Sequence, residues 1–131
     1  MKLIGEVRTG KNDFSFWMDK LSSYYTQKTG MNFRAGTLNV HLLDCKYYFP
    51  EHCIRLEKEE YGGTVSVSML PCQILGKDAY ILRTDSDTGK YGDLPEQILE
   101  IATDVKLRDR FNLKNGDLVE VEVQQGEIVE L

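Results

Sequence analysis

The sequence predicts a mainly β protein, and the economical architecture is a small closed β barrel carrying one or two short helices. Three observations point there. Short β-prone stretches recur between turn residues, only one or two segments show helical spacing, and strands do not alternate with helices as a parallel α/β sheet requires. Closure into a barrel also removes the unpaired edges that so many short strands would otherwise leave.

The bulk numbers fit that reading. A chain of 131 residues is one domain's worth, 1–131, and can bury a real core. Hydrophobic residues at 41% and charged residues at 28% are globular rather than disordered values. A net charge of −5 argues against a duplex nucleic-acid partner, while a local basic cluster can still hold a small anion. No apolar run approaches bilayer length, and Glu6 interrupts the start before any signal-peptide core forms, so no membrane partner and a cytoplasmic location are expected. Cys45, Cys53 and Cys72 match no zinc or Cys-x-x-Cys spacing and read as reduced, buried thiols.

Taken in order, Lys2 to Val7 reads as a first strand. Apolar positions at Trp17, Met18, Leu21, Tyr24 and Tyr25 predict a one-sided helix to Thr29, with Gly30 at its C′ position. Residues 37–42 turn extended. Glu57 to Glu60 reads as a solvated turn, and Thr64 to Met69 as the clearest strand, interrupted by Pro71. Two more strands, Cys72 to Leu75 and Ala79 to Leu82, flank a Gly76-Lys77-Asp78 turn. Asp85 to Pro95 reads as a long loop, and Glu96 to Ala102 stays ambiguous between helix and strand. Asp104 is placed to cap a short helix through Phe111, and Asn115-Gly116 makes a tight turn into the strand from Leu118 to Val123.

Two clusters of residues have ligand chemistry. Thr37 and Asn39 sit two apart on a strand, so a hydroxyl and an amide oxygen project from one face. Both are hard, neutral ligands that suit Mg2+ when phosphate supplies the negative charge, and Gly36 permits close approach of a large ligand. Taken alone, the pattern is explained more simply by solvent-facing polar residues. Lys106-Leu107-Arg108 opens the short helix and makes an anion site conceivable, beside the simpler reading of a solvated basic face. His41 and His52 lie in no ligand spacing, and the pairs Tyr24-Tyr25 and Tyr47-Tyr48 are explained by packing.

In company these segments carry more. Gly36-Thr37-Leu38-Asn39-Val40, Met69-Leu70-Pro71, Ile98-Leu99-Glu100-Ile101-Ala102, Lys106-Leu107-Arg108 and Leu113-Lys114-Asn115-Gly116-Asp117 follow one another in a single order. That order resembles the archaeal CTP-dependent riboflavin kinases. The resemblance implies a closed six-stranded cradle-loop (RIFT-like) barrel that moves the terminal phosphoryl group of CTP to riboflavin, giving FMN. It implies small-molecule partners and Mg2+ as cofactor, held by Thr37 and Asn39. Gly10, Lys106, Leu107 and Arg108 match nucleotide-binding positions, and Glu100 matches an acid that contacts the flavin. Glu100 is also the residue best suited to act as a general base. Thr84 matches a flavin-contacting threonine, with Thr88 as the alternative. The family's first loop repeats glycine where this chain has Asn12 and Phe14, a departure compatible with a barrel that binds flavin or nucleotide without turnover. A small interaction domain with no small ligand is the remaining reading.

Overall fold

A computed structural model describes residues 1–9, 20–34, 36–85 and 95–131. Alternation of small or apolar with polar side chains sets the wall of the barrel. In β1 (Lys2–Arg8) Leu3, Gly5 and Val7 are buried, while Lys2, Ile4 and Arg8 face outward. β2 (Leu38–Leu42) lies so close that a Cβ on Gly5 would sit 2.5 Å from a Val40 methyl, which is why that position is glycine. β5 (Val67–Ile74), β6 (Lys77–Thr84), β7 (Ile98–Ala102) and β8 (Leu118–Glu122) complete the ring. Its order is β5-β6-β7-β2-β1-β8, every pairing is antiparallel, and Gln73 and Ile74 pair with Glu122 and Val121 to close it. The predicted closed six-stranded barrel is the fold observed.

Three strands lie outside the ring. β4 (Ile54–Leu56) adds to β5, and β3 (Cys45–Tyr48) pairs with β9 (Glu127–Glu130) as a separate ribbon. The described residues also form three short helices, α1 (Ser22–Thr29), α2 (Lys58–Tyr61) and α3 (Leu107–Arg110).

Two cores follow from the two faces of the wall. Leu3, Val7, Leu38, Val40, Leu99, Ile101, Val119 and Val121 fill the interior, with Tyr47 packed in from the ribbon and Leu107 from α3. Outside, Leu21 and Tyr25 of the helical segment pack with Leu56, Val67, Met69, Leu82 and Ala102 into a second buried cluster. Phe33 links Tyr25 to Tyr80 there, with ring centroids 5.7 Å apart on either side.

Several local expectations need correction. Thr64 to Ser66 precede the strand, and β5 continues through Pro71 instead of stopping there. On one edge of β5, residues 67–69 pair with β4 and 73–74 with β8, so Pro71, which has no N–H, falls where no partner on that edge requires a donor. The β5–β6 turn is Leu75-Gly76, not 76–78, and both residues have positive φ (52° and 75°), matching the twist of the hairpin. Glu57 to Glu60 is not a bare turn. Glu57 and Glu60 form a capping box that starts α2. Asp104 does not cap α3: the N-cap is Lys106, and Asp104 instead pairs with Lys77 at 3.1 Å. Glu96 to Ala102 resolves into a 3-10 turn, Pro95–Gln97, and the strand β7. The predicted helix is observed from Ser22, ending on left-handed Gly30 as expected, while Trp17 and Met18 lie outside the described residues.

Candidate functional site

The outer face of β2 carries Asn39 and His41, because their alternate neighbours Leu38, Val40 and Leu42 enter the interior. Register then decides what surrounds them. Asn39 stands opposite Glu100 on one side and Arg8 on the other. Thr37, just before the strand, donates its hydroxyl to Glu100 with 2.5 Å between Oγ1 and Oε2. Asn39 is 7% exposed, a level at which an amide needs a defined partner set. Thr37 and Glu100, 63 positions apart in sequence, are thus joined on the face where Asn39 stands opposite Glu100, and the three side chains make up one oxygen-bearing cluster. Arg8 contacts Nδ1 of His41 at 3.3 Å and Glu6 at 3.7 Å, which places a cation on the strip bordering that cluster.

The barrel end beyond Arg8 gathers the second predicted group. α3 follows β7 there, the turn at 115–116 precedes β8, and Thr9 follows β1. Arg108 Nη2 donates to Asn115 Oδ1 at 2.7 Å, and Asn115 Nδ2 donates to Thr9 Oγ1 at 2.8 Å. Lys106 is exposed and lies 3.7 Å from Asp109. Leu107 differs from both: its side chain is 4% exposed and belongs to the interior core, so only its backbone can meet a ligand. Gly10, Asn12, Phe14 and Thr88 lie outside the described residues.

A cleft of about 270 Å³ opens at the other end of the barrel, lined by Tyr48, Phe49, Ser68, Arg83, Thr84, Asp85 and Glu96. The Arg83 guanidinium stacks 4.7 Å from the Phe49 ring centroid and donates to the carbonyl of Tyr47 at 2.8 Å. Arg55 holds the rim. Its Nη1 donates to Ser68 Oγ at 2.7 Å, its Nη2 to Asp85 at 2.7 Å and its Nε to Glu57 at 2.6 Å. Flanked by both carboxylates, the guanidinium is driven still further toward its charged form, first by Asp85 and then by Glu57. Thr84 borders this cleft and lies two residues beyond Leu82, which pairs with Glu100, so Thr84 and Glu100 share the outer face of the wall.

Sequence reasoning missed Arg8, Arg55, Asn115 and the aromatic side of the cleft. Alternation alone would have put Arg8 on the outer face, but its pairing with Asn39 depends on strand register across a long loop. Arg55 and Asp85 sit 30 residues apart, and nothing local couples them. The cysteines behave largely as expected: none is in a disulfide, and burial pushes the Cys72 thiol up to about 12. Cys45 and Cys53 are half-buried rather than buried. Among the described residues no three His, Cys, Asp or Glu side chains cluster as a metal cage. No described helix is long and apolar enough to cross a membrane.

Comparison with known proteins gives this geometry a lineage. Riboflavin kinase of Archaeoglobus fulgidus is 32% identical, over 94% of this chain and 54% of its own length. The riboflavin kinases of Methanocella arvoryzae and Pyrococcus abyssi are 29% and 30% identical, each over 92% of this chain and 56% and 58% of theirs. The chain therefore spans little more than half the length of the curated relatives it matches. The profile of the family named for CTP-dependent riboflavin kinases, and described as domain of unknown function DUF120, matches residues 7–123. With that span the chain belongs to the DUF120, CTP-dependent riboflavin kinase family.

Proposed function

We propose that this domain is a riboflavin kinase, transferring the terminal phosphoryl group of CTP to the ribityl hydroxyl of riboflavin with Mg2+. The observation that carries the reading is the oxygen cluster of Thr37, Asn39 and Glu100 on one outer face of the barrel, in a chain whose relatives are riboflavin kinases. Phosphoryl transfer needs positioning and charge neutralisation more than a strong nucleophile, and this wall offers both.

The donor set suits Mg2+. A hydroxyl, an amide and a nearby carboxylate are hard oxygen donors, and the lack of an acid-rich cage among the described residues fits an ion whose remaining ligands come from phosphate. Thr37 and Asn39 would hold the ion, which would offset phosphate charge when bound. Lys106, Arg108 and the backbone at Leu107 seat the nucleotide at the barrel end beside Thr9. Thr84 and the cleft at Phe49 receive the flavin ring, and the ribityl chain runs along the outer face to Glu100. Glu100 orients the terminal hydroxyl and takes its proton as the new O–P bond forms and the nucleoside diphosphate leaves.

The test is FMN formation from riboflavin, followed by chromatography with CTP and ATP as parallel donors and repeated on Asn39→Ala. The reading expects FMN with CTP and its loss in the variant. Folded protein that makes no FMN with any donor sinks it. Asn12 and Phe14, where the family pattern repeats glycine, motivate a second reading: a barrel that binds flavin or nucleotide without turnover. Tight FMN binding unaffected by Thr37→Ala, with no turnover, would favour that alternative.

A further inference from the structure

Asn115 sits in a turn that is fixed on every side. Lys114 N–H donates to the Asp117 carboxylate at 2.8 Å, Asp117 N–H returns to the Lys114 carbonyl at 3.0 Å, and β1 grips the turn from outside. That grip consists of Gly116 N–H on the Val7 carbonyl and Val7 N–H on the Asp117 carbonyl, each at 2.8 Å. The Asn115 side chain therefore projects from a rigid base. Its amide uses both ends. Oδ1 accepts from Arg108 at 2.7 Å and from the Thr9 hydroxyl at 3.2 Å, while Nδ2 donates to Thr9 at 2.8 Å.

The chemistry of that clamp is selective. A guanidinium on the surface ordinarily samples many rotamers and takes a carboxylate partner where one is near. Arg108 makes no ion pair among the described residues, whereas Lys106 one position from its helix faces Asp109. Among the described residues, a neutral amide fixes the Arg108 side chain while no carboxylate compensates its charge, and its remaining N–H groups can meet an anion. Thr9 ties the same amide to the end of β1, whose Arg8 stands opposite Asn39. Arg108 is thereby referenced to the oxygen cluster through two adjoining residues.

We propose that Asn115 is a positioning residue for the phosphoryl donor, holding Arg108 and the end of β1 in one fixed relation while keeping the guanidinium charge free for phosphate. The inference rests on the proposed kinase reading, since it takes the anion at Arg108 to be the nucleotide. It concerns a residue two elements away from the metal ligands, so it can fail on its own.

The experiment is a double-mutant cycle on Asn115→Ala and Arg108→Ala, with donor KM, riboflavin KM and calorimetric CTP affinity measured for each protein. Asn115→Ala should raise donor KM about tenfold, the scale of one hydrogen bond to a charged group, and leave riboflavin KM unchanged. The double variant should be no worse than Arg108→Ala alone. Asn115→Asp keeps an acceptor but neutralises Arg108, so it should also weaken CTP while thermal stability is retained. Additive penalties, an equal rise in both KM values, or an Asn115→Asp protein with full CTP affinity would each overturn the proposal. If the wild type makes no FMN with any donor, the kinase reading falls, and the calorimetric cycle decides Asn115 by itself. A wild type that binds no nucleotide overturns both.

Discussion

Thr37 and Glu100, from the lead-in to β2 and the middle of β7, share a hydrogen bond in which the threonine hydroxyl donates across 2.5 Å to the carboxylate. Because the proton is committed to Glu100, the lone pairs of Thr37 Oγ1 remain available to a cation. Glu100→Gln should therefore lower FMN formation about 100-fold, the ordinary scale for removing a positioned base, with little effect on CTP affinity. Thr37→Ser should retain activity and Thr37→Val should lose it. Comparable activity in the serine and valine variants would show that the hydroxyl is not used.

Within the proposed nucleotide segment, neighbouring residues should separate stability from binding. Leu107 is buried in the interior core, so Leu107→Ala should cost about 2–5 kcal/mol in urea unfolding. Lys106 is exposed, and Lys106→Ala should change stability by less than about 0.5 kcal/mol while raising donor KM. A large stability loss at Lys106 would contradict this division.

Arg55 offers a test of the cleft. Its bonds join Glu57, Ser68 and Asp85, but the side chains of Glu57 and Asp85 are 47% and 55% exposed, so solvent screens much of the attraction. Arg55→Met should cost on the order of 1 kcal/mol, shrinking at high salt. Riboflavin affinity, read by flavin fluorescence, should fall because Ser68 and Asp85 lose their common anchor. Unchanged affinity would place the flavin elsewhere on the wall.

Alkaline pH should unfold the protein through its buried acids. Burial pushes Tyr25 and Tyr47 each up to about 12 from an ordinary 10, and the nearby Tyr61 adds to the effect on Tyr25. Raised pKa values mean the unfolded chain releases these protons first. Their contribution is intact below pH 10 and is lost as pH climbs toward 12. Tyr25→Phe keeps the ring against Phe33 and removes one ionisation, so the urea midpoint should fall less steeply between pH 10 and 12. An unchanged slope would assign the loss to other groups.

Residues with strong local signatures were legible before any coordinates. The glycine C′ stop at Gly30, the alternation that sends Leu38, Val40 and Leu42 inward, and the short turn-bounded strands all depend on neighbours within a few positions. Pro71 and Asp104 misled because their local meaning was overridden from outside. The gap between β4 and β8 leaves position 71 with no ladder hydrogen bond to donate, so a proline is tolerated there, and Lys77 draws Asp104 away from the helix start.

The same contrast divides the candidate site. The sequence by itself determined that Thr37 and Asn39 share a face and that Lys106, Leu107 and Arg108 open a short helix, because strand and helix periodicity set side-chain direction. It did not determine their company. Only the tertiary structure decided that Glu100 faces Thr37, that Arg8 stands opposite Asn39, that Leu107 turns into the core and that Asn115 holds Arg108. Those relations depend on barrel register, which is fixed by the packing of all six strands at once and by no single stretch of chain.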